Sequence, residues 1–276
     1  PGQVRMSLGG VGRNIAHNLA LLGVDVRLLT AFGDDLNAQR IAASCGELGI
    51  DISQCLTVSG AATSTYLFIA DEQGDMALAV SDMEIYDHVT PAFLAGRARL
   101  LQNAQVIVVD TNIPPESIAW LAENVKLPIF ADPVSTAKAE KLRPVLGRLH
   151  TLKPNRLEAE LLSGVSITDQ KSLDRAVDVL LDTGLRRVFV SLGGDGVYAA
   201  DHQQRLHLPC CPGRMVNTTG CGDAAMAAIT WAYLEGTGLE GTARAAMAAG
   251  AIAMESGETI NPDMSARSLK ARAEQL

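Results

Sequence analysis

The chain has 276 residues, 31 acidic and 23 basic, for a net charge of −8, a balance that argues against nucleic-acid binding, which needs Lys and Arg to neutralise phosphates. The five cysteines (Cys45, Cys55, Cys210, Cys211, Cys221) are scattered and odd in number, with neither disulfide-scaffold density nor a CxxC spacing, and point to a reducing cytoplasm. No apolar run reaches ~18 residues and the start does not read as a signal peptide, so a soluble protein without membrane contact is expected.

In chain order, helical periodicity first spans Val11–Leu22, followed by a β-branched apolar run at Val24–Phe32 and a second helix at Leu36–Leu48. Thr65–Ala70 and Met76–Val80, joined by Asp71-Glu72-Gln73-Gly74-Asp75, read as a β-hairpin. Strand-like runs at Val106–Asp110, Pro128–Ala131, Thr151–Lys153, Val188–Ser191 and Val197–Ala200 alternate with helical stretches at Pro115–Asn124, Arg156–Ser163 and Ser172–Thr183. Arg205–Pro209 is again strand-like, and Gly222–Leu234 and Leu239–Ser256 close the pattern as helices. Near-continuous apolar strands separated by helices predict a mostly parallel sheet covered on both faces. The hairpin interrupts this rhythm, either as decoration or as a cover for a pocket.

Ligands of open α/β sheets bind beyond the carboxyl ends of the strands, where loops feed helix N-termini. Four such junctions carry suggestive residues. In "SLGGVGRNIAHNLALLG", Gly9, Gly10 and Gly12 precede a helix and Asn14 offers a donor and an acceptor from its first turn. Ile15 occupies the place of the third Gly of a dinucleotide fingerprint, so that motif fails. In "TLKPNRLEAELLSG", Asn155 and Glu158 share a helical face. They form either a capping box or an anchor for Mg²⁺-bound water beside a phosphate. "SLGGDGVYAAD" turns the chain on Gly193, Gly194 and Gly196 after Ser191, either as a plain hairpin or beside a nucleotide.

The fourth junction, "NTTGCGDA", packs Gly220 and Gly222 around Cys221 at a helix entrance, where free N–H groups and the helix dipole favour an anion. Asp223 stands beside that site. It is either an N-cap or the group that takes a proton from a hydroxyl attacking phosphorus, with the dipole expected to keep its pKa low. Cys221 is expected to contribute its backbone rather than its sulfur.

Together the four stretches resemble the ribokinase-like (PfkB-type) kinases, from Gly9 to Asp263 and in that family's order. "GGVGRNIAHNLALLG", "VSDM" and "HTLKPNRLEAELLSG" look most like its bacterial pseudouridine-phosphorylating members. The resemblance implies a three-layer α/β/α fold with a small β lid, and transfer of the ATP γ-phosphate to the 5′-hydroxyl of a C-glycosidic nucleoside. By position it makes Asp223 the catalytic base and the amides of Gly220, Cys221 and Gly222 the anion hole. Asn155 and Glu158 would serve Mg²⁺ through water, and Asn155 the phosphates. Gly9, Gly10, Gly12 and Asn14 would hold the sugar, with Asn112 facing the transfer region. Ser191, Gly193, Gly194 and Gly196 would border ATP, and the helix around Met247 and Gly250 the adenine.

Three departures stand out. Cys221 replaces the family's usual Ala, Asn217 replaces an Asp that helps bind a monovalent cation in relatives, and Pro1 leaves no room for the family's opening strand. The expectation is therefore one ribokinase-like domain over 1–276, N-terminally truncated, with a hairpin lid at about 63–83. Its partners would be a small-molecule nucleoside and ATP, with a homodimer allowed. A nicotinamide dehydrogenase would need the complete fingerprint, and a non-catalytic nucleoside binder would have no use for Asp223.

Overall fold

The computed structural model describes residues 6–70 and 76–276, and the expected hairpin turn at Asp71–Asp75 lies outside the described residues. The elements run α1 (Val11–Leu21), β1 (Ala31–Phe32), α2 (Leu36–Glu47), β2 (Leu56–Thr57), β3 (Thr65–Ala70), β4 (Met76–Asp82), α3 (Pro91–Ala95), α4 (Ala98–Gln102), β5 (Ile107–Asp110), α5 (Pro115–Asn124), β6 (Ile129–Asp132) and α6 (Thr136–Ala139). They continue with β7 (Thr151–Leu152), α7 (Arg156–Ser163), α8 (Gln170–Asp182), β8 (Arg187–Ser191), β9 (Val197–Asp201), β10 (Arg205–Leu208), α9 (Cys221–Leu234), α10 (Leu239–Met254) and α11 (Ala266–Ala273).

A six-stranded sheet in the order β10-β9-β8-β7-β6-β5 carries the molecule, parallel from β5 to β8 and antiparallel through β9 and β10. Successive strand side chains point to opposite faces, and the core divides accordingly. Ile129, Ala131, Val188 and Val190 pack with Ile118, Leu142 and Leu180 on one side. Phe130, Phe189, Val197 and Ala199 pack with Ile15, Met226, Ile229 and Ile252 on the other. The result is the expected three-layer α/β/α arrangement.

Two readings need revision. Val24–Phe32 is not one long strand. Only Ala31–Phe32 enters a ladder, with β2, and the preceding residues meet the Asp51 segment through an isolated bridge at Arg27. Also, α8 begins two residues before Ser172. Asp169 is the N-cap and accepts the Ser172 N–H, so Ser172 sits in the third helical position of a capping box.

The hairpin forms as a separate two-stranded sheet. Leu67 pairs with Val80 and Ile69 with Leu78, and all four side chains are exposed on one face. Its root is tied down: the Ser64 and Tyr86 hydroxyls lie 2.7 Å apart, and Tyr86 borders Gly10 at the start of α1.

Candidate active site

Three adjacent parallel strands end in charge at the same edge of the sheet. Asp110 and Asp132 are register partners closing β5 and β6, and Lys153 follows β7 directly. Next along the edge, Asn155 bridges to Ser191 at the end of β8. The first turn of α9 faces this row, and a cleft of about 190 Å³ between them is lined by Val11, Asp132, Val134, Lys153, Asn155, Glu158, Ser191, Gly222 and Asp223. A second cleft of about 300 Å³, at the hairpin root between Ala61 and His88, holds none of the expected catalytic residues.

Asp223 is the third residue of α9, and the N-cap is Gly220, with no side-chain cap bond. The capping explanation for Asp223 is thereby removed. Its Oδ2 accepts the Asn14 Nδ2–H at 2.7 Å. Asn14 is itself oriented by the buried Arg13, whose guanidinium donates to the Asn14 Oδ1, to the Gly9 carbonyl at 2.9 Å and to the Leu8 carbonyl at 2.7 Å. The glycine loop, Arg13, Asn14 and Asp223 thus form one hydrogen-bonded chain.

The Asp223 carboxyl does not have the low pKa that the helix dipole alone would give it. Burial pushes it up to about 7, and the neighbouring charges of Asp132 and Asp110 add to this, against the Asn14 hydrogen bond and the Lys153 ammonium. Desolvation outweighs the dipole because the half-buried carboxyl is set into the wall of the cleft. A carboxylate titrating near neutrality is suited to proton acceptance at physiological pH.

Lys153 and Asp132 form a buried ion pair, Nζ to Oδ2 at 3.1 Å. Burial pulls the ammonium's pKa down, but Asp132, with Asp223 and Glu158 behind it, more than compensates and holds it above its usual range. The Val134 N–H donates to Asp132 Oδ1 at 2.9 Å, leaving Oδ2 to the lysine, and Val134 holds φ at +63°, a strained conformation for a β-branched residue. Asp110 accepts the Gly12 N–H and the Asn112 N–H, each at 2.8 Å, yet burial keeps its carboxyl above the usual range. Asn112 turns its side chain to Lys138, whose ammonium donates to Oδ1 at 2.5 Å.

Asn155 and Glu158 form the capping box in full, with each side chain accepting the other's backbone N–H at 2.9 Å. Both still line the cleft, and burial raises the Glu158 carboxyl, with Asp132 adding to the effect. The loop Gly193–Asp195 is a 3₁₀ turn joining β8 to β9, with Gly193 and Gly194 exposed beside Ser191. Gly196, at φ +91°, lies so close to the Leu208 carbonyl that no side chain fits there. Met247 is half-buried on α10, and the Gly250 carbonyl lies 3.5 Å from the Cys221 sulfur, which places this helix beside the α9 entrance.

Of the three amides expected to form an anion hole, one is already engaged. The Cys221 N–H turns back to the Thr218 carbonyl at 3.3 Å, leaving Gly222 as the glycine of the first turn. The Cys221 thiol is not activated by the helix start, since burial and then the Asp223 charge raise its pKa. Asn217 is committed to a turn, its Oδ1 accepting the Thr219 N–H at 3.0 Å.

Sequence reasoning missed Arg13, Asp110, Asp132 and Lys153. The available signal was that "IVVD", "IFAD" and "TLK" each end an apolar strand with a charge. Among the described residues, no helix is long and apolar enough to cross a membrane.

The sequence profile of the pfkB family carbohydrate kinases matches residues 1–267. Pseudouridine kinase of Escherichia coli strain K12 is 40% identical over 268 residues, covering 96% of this chain and 85% of that one. The uncharacterized sugar kinase YeiI of the same strain is 38% identical over 270 residues, covering 96% of this chain and 74% of that one. Among solved structures, Arabidopsis thaliana ribokinase complexed with ribose and ATP resembles the chain with a TM-score of 0.87. It covers 96% of this chain and 87% of that one at 22% identity, a likeness of fold.

Proposed function

Since this chain belongs to the pfkB family of carbohydrate kinases and is an ATP-dependent phosphotransferase of ribokinase-like fold, we propose that its acceptor is the 5′-hydroxyl of pseudouridine. The observation that carries the chemistry is Asp223: a half-buried carboxyl with its pKa near 7, aimed by Asn14, in the first turn of a helix whose Gly222 lines the same cleft.

In this reading the acceptor hydroxyl lies between Asp223 and the γ-phosphate. As its oxygen bonds to phosphorus, the proton passes to Asp223, and the bond to the ADP oxygen breaks with its electron pair. The amides at the start of α9 meet the negative charge that develops on the phosphoryl oxygens. Gly9, Gly10, Gly12 and Asn14 border the sugar, with Asn112 beside the transfer region. Ser191, Gly193, Gly194 and Gly196 flank the nucleotide, with Met247 and Gly250 toward the adenine. The hairpin acts as a lid, and its exposed apolar face suits an element that closes over the nucleoside.

The cleft's donors are oxygens, as Mg²⁺ requires, and among the described residues no cluster of three or more metal-ligating side chains forms a closed cage. Asn155 and Glu158 would hold the ion through water, and when bound it neutralises the β- and γ-phosphate oxygens. This separates two roles for Glu158. Glu158→Gln keeps the cap, since Gln also reaches the Asn155 N–H, so the melting temperature should hold while the Mg²⁺ concentration for half-maximal rate rises. Unchanged Mg²⁺ dependence would leave Glu158 with capping alone.

The substrate reading is tested by kcat/KM for pseudouridine, uridine, ribose and adenosine under one set of conditions. Pseudouridine presents a ring N–H where uridine presents C–H, and a buried acceptor paired to it is left unsatisfied by uridine. A preference for pseudouridine of at least about tenfold is expected from one such bond. Preference for ribose or adenosine would reject the pseudouridine assignment and leave the kinase reading standing.

A further inference from the structure

We propose that Lys153 is a catalytic residue, the fixed cation that contacts the transferring phosphoryl group. Three observations converge. The ammonium lies inside the cleft, in a pair whose side chains are only 9% and 8% exposed, 3.1 Å from Asp132. It also reaches the entrance of α9, because a β carbon built on Gly222 would sit 3.6 Å from Nζ. An anion bound at that first turn is therefore within reach of the lysine. Lastly, the lining residues comprise three carboxylates, Asp132, Glu158 and Asp223, and one cation, Lys153. Without that charge, a polyphosphate would approach an uncompensated anionic wall.

A purely structural ion pair explains these features less well. Buried pairs contribute little net stability, and apolar residues of the same volume often replace them without loss. Here the pair lines the space where chemistry is assigned. During transfer the acceptor oxygen bonds to phosphorus, its proton moves to Asp223 and the bond to ADP breaks with its electrons leaving on ADP. Lys153 stays an ammonium throughout, matched to the oxygens of the group in flight. A compact ammonium suits this task as a point charge. The inference rests on the phosphotransferase reading and is independent of which nucleoside is accepted.

The test is nucleotide binding, measured by calorimetry with Mg²⁺ and without acceptor. The ligands are ADP and the non-hydrolysable β,γ-imido analogue of ATP. Lys153→Met alone would strand Asp132 as a buried, unpaired carboxylate, so Lys153→Met/Asp132→Asn is compared with wild type and with Asp132→Asn. The double variant should lose about tenfold or more of its affinity for the ATP analogue, the scale of one charge-assisted hydrogen bond. Its affinity for ADP, which lacks the contacted phosphate, should stay within about threefold. Its kcat should fall by roughly 10²–10³-fold. Asp132→Asn should keep the preference for the triphosphate. Retention of both preference and rate by the double variant overturns the assignment, as does loss of preference already in Asp132→Asn. A wild-type enzyme that prefers ribose would reject the pseudouridine reading and leave this result standing.

Discussion

Replacing Asp223 by Asn is expected to cut kcat by roughly 10²–10⁴-fold, the range for a lost general base, while raising the melting temperature above neutral pH. The first effect follows from removing the proton acceptor. The second follows from linkage. The carboxyl's pKa is about 7 in the folded protein, against 3.8 for an ordinary aspartate side chain. The folded state therefore holds this proton more tightly than the unfolded chain. The resulting penalty on stability is absent below about pH 4, grows as pH rises through the window to 7, and is complete above it. Asn is neutral, nearly the same shape, and still offers an oxygen to the Asn14 N–H, so it removes the penalty without leaving a hole. Melts at pH 4 and pH 8.5 should show a difference only at the higher pH. In the wild type, kcat/KM should rise with pH along a limb centred near 7, and that limb should vanish in the variant. Near-normal turnover by Asp223→Asn would end the assignment, and an unchanged melting temperature at pH 8.5 would mean that the carboxyl is not desolvated.

The parts of the site legible in the sequence are those written into local chemistry. Glycines before α1 and α9, and the Asn155/Glu158 spacing, mark helix starts because only certain residue types serve there. Strand runs such as Val188–Ser191 were legible because burial on both faces leaves almost no polar residue inside them. What escaped depends on convergence over long separations. Asp110, Asp132 and Lys153 meet only because β5, β6 and β7 pair in parallel and in register. Arg13 looks like a surface residue of an amphipathic helix until the Gly9 and Leu8 carbonyls and Asn14 close around it. Val24–Phe32 misled for a related reason. Its β-branched residues favour extended backbone, but a ladder also needs a partner in register, and the Asp51–Val58 segment supplies one only at scattered points. The sign of the Asp223 shift was out of reach because the dipole is local, whereas the enclosure that overrides it is built by distant elements.

Gly220→Ala is expected to damage both stability and catalysis, and the comparison with a second glycine separates the causes. Gly220 holds φ at +86°, where a side chain is strained, and a β carbon built there would lie 2.2 Å from the Thr259 carbonyl oxygen. Backbone cannot rotate away as a flexible side chain can, so either the Thr259 segment or the start of α9 must move. Gly49 shares the left-handed conformation at φ +70° but has nothing within 4 Å of the added carbon. Gly49→Ala should therefore show the conformational cost alone, about 1–2 kcal/mol, with full activity. Gly220→Ala should melt lower than Gly49→Ala and lose on the order of 10²-fold in kcat, the scale of a reacting group displaced by about 1 Å. If the amides at this turn serve the transferring phosphate, as proposed, the loss should fall on kcat more than on the KM of the acceptor. A Gly220→Ala enzyme with the melting temperature of Gly49→Ala and undiminished kcat would show that contact with Thr259 does not position α9. The source of the catalytic geometry would then have to be sought in the Asn14–Asp223 hydrogen bond alone.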